Sequence, residues 1–207
     1  MKHTLKLALA GLFLACSSLA SAAMYHVNVD TRTLDGQGGF VAFGLNGLSD
    51  SPLLSALVSQ YRGSSLESID IDNTFNVSGH LSSVLKLENR ELNQFTQGVI
   101  FGKQLQFDVE FAGEQSLIGS GTRFALALYD RSFAALLSND PTGAAVLAEF
   151  TSGQAVDFKT ITDAQGNIMA TITPVPEPET YALVGLGLLG LVMRRRMMGA
   201  DLYGKTV

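Results

Sequence analysis

One eight-residue stretch constrains the fold more than any other part of the sequence. In "QLQFDVEF" at 104–111, apolar and polar residues alternate without a break. Successive side chains of an extended chain point to opposite faces, so this segment predicts a β-strand with one buried and one solvated face. The same alternation occurs at 122–129 and 24–30, which predicts further strands of the same kind.

Shorter apolar segments extend this pattern through the middle of the chain. Residues typical of turns separate them at 35–39, 139–143 and 163–167. Strand candidates about ten residues apart predict an all-β fold, an antiparallel β-sandwich or jelly roll. The further strand candidates are 39–45, 66–71, 73–77, 81–87, 98–101, 145–150, 155–161 and 168–173.

Two segments fit more than one element. The stretch 51–62 fits a helix capped by Ser51 with Pro52 in its first turn, but it also fits a strand. We favour the strand because the surrounding segments are β. Residues 131–138, "RSFAALLS", stay undecided between the two.

The N-terminus has the three parts of a secretory signal peptide at 1–22. Two lysines precede an apolar run, and Ala20 and Ala22 form the small-x-small pattern that signal peptidase accepts. The alternatives are a short hydrophobic helix and a lipoprotein signal at Cys16. Cys16 is the one cysteine of the chain, and signal cleavage removes it, so the exported body at 23–173 has no disulfide.

The body is acidic. Between Met24 and Thr173 there are 16 acidic and 8 basic residues, a formal charge of −8. This charge argues against nucleic acid and anionic lipid surfaces as partners. It allows weak binding of divalent cations without demonstrating it.

The C-terminal stretch "VPEPETYALVGLGLLGLVMRRR" at 175–196 combines three parts. Val175-Pro176-Glu177-Pro178 precedes thirteen apolar residues at 181–193, and Arg194, Arg195 and Arg196 follow. A helix of that length spans about 20 Å at about 1.5 Å per residue, whereas a bilayer core is about 30 Å thick. The segment is therefore a marginal transmembrane anchor, with its arginines on the cytoplasmic side.

This arrangement resembles the PEP-CTERM sorting signal of Gram-negative bacteria that produce exopolysaccharide. The resemblance implies an inner-membrane intermediate, cleavage by an exosortase near Pro176–Pro178, and delivery of the body to the cell surface or extracellular matrix. The two prolines keep the motif extended, which suits a protease cleft. The sorting signal covers 174–196, and a tail extension at 197–207 departs from the usual pattern. The alternative is a plain tail anchor.

Few residues of the body suggest chemistry. His26 is on the polar side of a strand and His80 in a turn, and their spacing fits no metal site. Asp70 and Asp72 have spacing reminiscent of a calcium loop, but the glycine and distal glutamate of an EF-hand loop are missing. We expect them on a solvated strand face, with calcium as an alternative and no other cofactor.

The body resembles small β-rich PEP-CTERM proteins of unknown function in "VNVDT" (27–31), 98–113 and 124–143. We expect an exported, non-enzymatic surface or matrix protein linked to exopolysaccharide and biofilm. The alternatives are a calcium- or glycan-binding module and a secreted hydrolase with an unidentified carboxylate pair. Tyr25, Tyr61 and Tyr129 are aromatic candidates for sugar binding, although we favour a structural role for them.

Overall fold

The computed structural model describes residues 23–113, 119–140, 142–151, 154–176 and 185–187 of the 207-residue chain. In these residues the backbone forms ten β-strands and two short 3₁₀ helices, Arg32–Leu34 and Ile71–Asn73. The strands in chain order are β1 (Ala23–Asp30), β2 (Gly38–Gly47), β3 (Leu54–Ile69), β4 (Ser78–Gly79), β5 (Val84–Glu88), β6 (Gln94–Gly113), β7 (Thr122–Asp130), β8 (Ala144–Phe150), β9 (Asp157–Phe158) and β10 (Ala170–Val175).

The all-β, antiparallel prediction is confirmed. The stretches with the clearest alternation, 24–30, 104–111 and 122–129, lie within β1, β6 and β7. Their apolar positions face the core because the pleat sends every second side chain to the same side. The strand favoured for 51–62 is also confirmed, since β3 begins at Leu54.

The predicted strand at 73–77 is wrong. This stretch contains the end of a 3₁₀ helix and one isolated bridge, between Phe75 and Gln94. The Asp70 carboxylate accepts hydrogen bonds from the backbone N–H groups of Asp72 and Asn73, and this local pairing competes with strand formation. At 155–161 only Asp157–Phe158 is strand.

The undecided stretch 131–138 contains an irregular loop rather than a helix or a named strand. Phe133 and Leu137 adopt positive φ angles of 62° and 66°, which non-glycine residues rarely do. The other turns form as expected. Gly143 N–H donates to the Asp140 carbonyl at 2.9 Å, and Gly166 N–H donates to the Asp163 carbonyl at 3.0 Å.

The strands form a single open sheet in which β6 has three partners. The main order is β4-β5-β3-β6-β2-β7-β8-β9, and β1 pairs with both β6 and β10. The first part of β6 pairs with β2, from Gln94 to Ile100, and the last part pairs with β1, from Gln104 to Phe111. β3 pairs with both parts, so two long strands connect the two ends of the sheet.

The pairing of β3 with β6 is interrupted where the partner of β6 changes from β2 to β1. The register shifts between Ser59 and Ser64, and Gly63 has a φ of 98°. A Cβ atom at Gly63 would collide with the carbonyl oxygen of Gln104. Such a bulge bends a strand and increases its twist.

Aromatic contacts show that the sheet folds over on itself. Phe43 of β2 meets Phe107 of β6 at 5.2 Å between ring centroids, and Phe111 of β6 meets Phe124 of β7 at 5.3 Å. Neither pair consists of hydrogen-bonded neighbours. The two ends of one sheet therefore face each other as two layers, as in a sandwich. Twelve large side chains lie between them, fully buried: Phe43, Phe95, Phe101, Phe107, Phe124, Leu45, Leu81, Leu85, Leu87, Leu105, Leu126 and Leu128.

The chain divides into two compact units between Thr173 and Pro174. The first contains nearly all of the sheet. In the second, the structure describes 174–176, which finish β10 and continue one residue beyond it, and 185–187, which are helical.

Candidate functional site

The two histidines of the body lie where the sequence predicts. His26 is on the polar side of β1, opposite Asp108 of β6, and the His26 Nδ1 and Asp108 Oδ1 atoms are 2.6 Å apart. His80 is exposed in a turn, where its carbonyl accepts a hydrogen bond from Ser83 N–H. Both residues therefore have contacts typical of a β-sheet protein.

Of the calcium candidates, Asp70 caps the 3₁₀ helix Ile71–Asn73 and Asp72 lies within it. Neither lies on the solvated strand face that we expected. Both carboxylate oxygens of Asp70 are in use, because Oδ1 accepts the backbone N–H groups described above and Oδ2 accepts the Asn73 side chain at 3.0 Å. Across the described ranges no group of three or more histidine, cysteine, aspartate or glutamate residues could hold a metal ion.

Several other carboxylates cap loops. Asp130 Oδ1 accepts the N–H groups of Ser132 and Ala134, and Asp163 Oδ1 accepts those of Gln165 and Asn167, all at 2.8–2.9 Å. These hydrogen bonds favour the ionised form. They lower the pKa of Asp130, with the Ser132 side chain as the main cause, and the pKa of Asp163, with the Asn167 side chain as the main cause.

A depression of about 580 Å³ lies between the end of β1 and the loop before β10, with Asp30, Asp163 and Met169 in its lining. Its acidic groups already have partners. Asp30 receives two hydrogen bonds from Arg32 Nε, at 2.9 and 3.0 Å, and this contact lowers the pKa of Asp30. The Asp30 carboxylate also accepts a hydrogen bond from the Arg32 N–H, so it caps the turn that follows β1.

Five side chains form a cluster that the sequence analysis did not predict: Phe40, Glu67, Tyr129, Arg131 and Phe133. We call it the aromatic–arginine patch. The Phe133 ring lies parallel to that of Phe40, with 4.5 Å between centroids and 9° between planes. Tyr129 is 6.0 Å from Phe133, and the Arg131 guanidinium carbon is 5.5 Å from the Phe40 centroid. Arg131 also forms an ion pair with Glu67.

One signal in the sequence points to this patch. The alternation of 39–45 puts Val41 and Phe43 on one face of β2, and both are fully buried. Phe40 must then be on the opposite face. Phe133 is 43% exposed, and it lies in the stretch 131–138 that the sequence leaves undecided.

The predicted sorting motif begins within the sheet. Val175 is the last residue of β10 and is 36% exposed, and Pro176 follows it as an exposed residue. Within the described residues β10 pairs with β1 alone. A proline such as Pro174 is tolerated in such an edge strand because its missing N–H is not needed for pairing on the free side.

The other predicted site residues lie outside the described ranges. These are Ala20 and Ala22 of the signal peptide, Glu177 and Pro178 of the motif, and Arg194, Arg195 and Arg196. Of the predicted apolar helix at 181–193, residues 185–187 are described and are helical, with Leu186 52% exposed. Within the described residues, no helix has the length and hydropathy that a membrane span requires.

Comparison with known families identifies the C-terminal segment. Residues 174–196 match the PEP-CTERM protein-sorting motif. The resemblance drawn from Val175 to Pro178, the glycine- and leucine-rich stretch and the arginines is therefore confirmed. Neither a curated protein nor a solved structure is significantly similar to the chain.

The PEP-CTERM motif carries a functional meaning at the level of transport. It marks the chain as an exported protein that an exosortase processes, with a destination at the cell surface or outside the cell. The exosortase is thus the processing partner. The body before the PEP-CTERM motif receives no function from this match.

Proposed function

We propose that the mature protein is a non-enzymatic component of the surface or extracellular matrix of a Gram-negative bacterium, linked to exopolysaccharide and biofilm. The inner membrane holds the chain only as an intermediate. One observation carries the proposal: neither predicted cut falls within a described strand of the body.

Both predicted cuts leave the neighbouring described strand whole. A signal-peptidase cut after Ala22 leaves β1 complete, because β1 begins at Ala23. An exosortase cut near Pro176–Pro178 leaves β10 complete, because β10 ends at Val175. β1 and β10 pair with each other, so both cuts release a body whose described sheet is intact.

The hydrogen bonds of the acidic residues support a structural rather than a catalytic role. Asp70, Asp130 and Asp163 cap backbone N–H groups. Glu149 binds Arg123 at 2.8 Å and Lys159 at 3.1 Å. A catalytic carboxylate must lie within hydrogen-bond reach of the proton that it transfers, whereas these four carboxylates bind groups of the fold itself.

Intact mass and location of the native protein test the proposal. We expect the polypeptide harvested from cells to begin at residue 23, to end near Pro176–Pro178 and to leave the membrane fraction. A Glu177→Ala variant, or replacement of Arg194, Arg195 and Arg196 by alanine, should accumulate uncut in the membrane. Asp72→Ala removes an exposed acidic residue of the body and should be processed normally. A native protein that retains its three arginines would instead be a tail-anchored protein.

The non-enzymatic part has a separate test. The processed protein is incubated with a panel of polysaccharides, glycosides and carboxylic esters, and product formation is followed by mass spectrometry. We expect no turnover above a heat-denatured control. Sustained turnover of any one substrate would overturn this part and leave the assignment of processing unchanged.

A further inference from the structure

Phe133 is held in a conformation that exposes it. It lies in the loop after β7, with a φ of 62° and 43% of its surface exposed. A bulky residue at positive φ is strained, and such strain is found at binding sites more often than elsewhere. Burial in the core does not explain this placement.

Hydrogen bonds and ring contacts hold Phe133 in place in this loop. Asp130 accepts the N–H groups of Ser132 and Ala134, which flank Phe133, at 2.8 and 2.9 Å. The Phe133 ring rests on Phe40, which is anchored in β2 directly opposite Tyr129 of β7. The exposed ring is therefore a rigid surface, which loses little conformational entropy when a ligand binds.

A charged pair lies beside the rings. Arg131 and Glu67 form an ion pair in which their side chains are 50% and 34% exposed. Glycine makes room for both: a Cβ atom at Gly38 would lie 2.7 Å from Arg131 Nη2, and one at Gly98 would lie 3.1 Å from Glu67 Oε2. The guanidinium has five N–H donors and the carboxylate two acceptor oxygens, so both groups keep hydrogen-bonding capacity for a ligand.

We propose that the aromatic–arginine patch binds a pyranose unit of an extracellular polysaccharide. The C–H groups on one face of a sugar ring are weakly positive and stack on the negative face of an aromatic ring. Hydroxyl groups at the ring edge can accept from Arg131 and donate to Glu67. This inference rests on the proposed function, which places the protein beside an exopolysaccharide. It adds the site on the body that would bind this polysaccharide.

The binding test uses the exported protein in its processed form. Calorimetry is carried out with three defined probes, cellohexaose, chitohexaose and maltohexaose, and affinity electrophoresis with the exopolysaccharide of the producing cells. We expect at least one of the four to bind. Phe133→Gly should weaken that binding at least tenfold and leave the thermal midpoint unchanged or higher, because glycine adopts positive φ without strain.

Matched variants distinguish specific recognition by the patch from nonspecific binding to exposed aromatic residues. Phe75 is 38% exposed outside the patch, so Phe75→Ala should bind like the wild type. Arg131→Lys keeps the charge but loses the planar set of donors and should weaken binding less than Phe133→Gly. Failure of the wild type to bind any of the four probes would overturn the inference. Equal binding by Phe133→Gly, or an equal loss of binding in Phe75→Ala, would overturn it as well. Failure of the proposed function would appear instead in the mass and location of the native protein.

Discussion

The body and the PEP-CTERM segment differ in how far apart in the sequence their defining residues lie. In the body, β1 pairs with β6, so that Tyr25 lies opposite Val109, more than 80 residues away in the sequence. The PEP-CTERM segment is contained in the contiguous residues 174–196. The paired residues of the body come together only when the chain folds. A processing enzyme, by contrast, can recognise the segment in an extended chain.

This difference explains why one region could be assigned a function and the other could not. A motif read by an enzyme must keep residue types at fixed spacing, and that spacing is visible in the sequence. A β-sheet core needs apolar side chains on one face, and many sequences meet this need. The body therefore gives a fold class, and its proposed binding role rests on surface features such as the aromatic–arginine patch.

Transplanting the segment is the strongest test of the comparison. Residues 174–207 are attached to an unrelated exported domain with its own signal peptide and produced in the native cells. We expect nearly complete cleavage and release, because the segment is read locally. Intact mass gives the cut position.

The control for this transplant carries Glu177→Ala and should stay uncut in the membrane fraction. If the transplanted segment is not cut while the native chain is, the body takes part in recognition. The segment alone would then not be sufficient for recognition by the exosortase.

Removing one ring from the core tests the long-range character of the body. Phe107 is fully buried and its ring packs edge-on against Phe43. Phe107→Ala should lower the free energy of unfolding by about 3–5 kcal/mol, the usual cost of deleting a buried aromatic side chain. Denaturant titration of the processed protein measures the loss.

Phe75→Ala is the matched control, since Phe75 is partly exposed, and its loss should be much smaller. Equal losses for the two variants would mean that the core is not concentrated between the layers.

The strands could be predicted because alternation is a local property. The period of two at 104–111 and 122–129 assigns each side chain to a face. It does not say which strands pair, so the sequence could not show that 98–101 and 104–111 belong to one strand, β6, with three partners. The error at 73–77 has a similar origin, because capping by Asp70 outweighs an apolar pattern.

The candidate sites differ in the same way. The PEP-CTERM segment was predicted in full because its residues are contiguous. The aromatic–arginine patch combines Phe40, Glu67 and Phe133 from three distant places in the chain. The pairing of β2 with both β6 and β7, and of β3 with β6, brings these side chains together. The alternation of apolar and polar residues does not predict those pairings.

A single methyl group at the bend should have a large effect as well. Gly63 combines a φ of 98° with close approach to the Gln104 carbonyl. Gly63→Ala should cost about 3 kcal/mol, because backbone strain adds to overpacking. Gly166 has a φ of 82° but open space around it, so Gly166→Ala, measured in the same denaturant titration, should cost less. An equal cost would show that strain alone, rather than the close approach of β3 to β6, makes the bend sensitive.

The smallest expected effect concerns Tyr61 of β3, which is partly buried against the core near Phe43. Its hydroxyl is 2.6 Å from Ser64 Oγ. Burial raises the pKa of Tyr61 from 10.0 to about 12. Because the folded pKa is higher, the stability linked to this proton is complete below pH 10 and is lost as the pH rises towards 12.

Tyr61→Phe removes both the hydrogen bond and this titration. At neutral pH the variant should lose about 1 kcal/mol, the usual net value of one hydrogen bond. Between pH 10 and pH 12 its deficit should shrink, because only the wild type loses stability through this group. Unfolding curves at pH 7, 9, 10 and 11 measure the difference. A constant deficit across this range would mean that the Tyr61 hydroxyl ionises as freely in the folded body as in the unfolded chain.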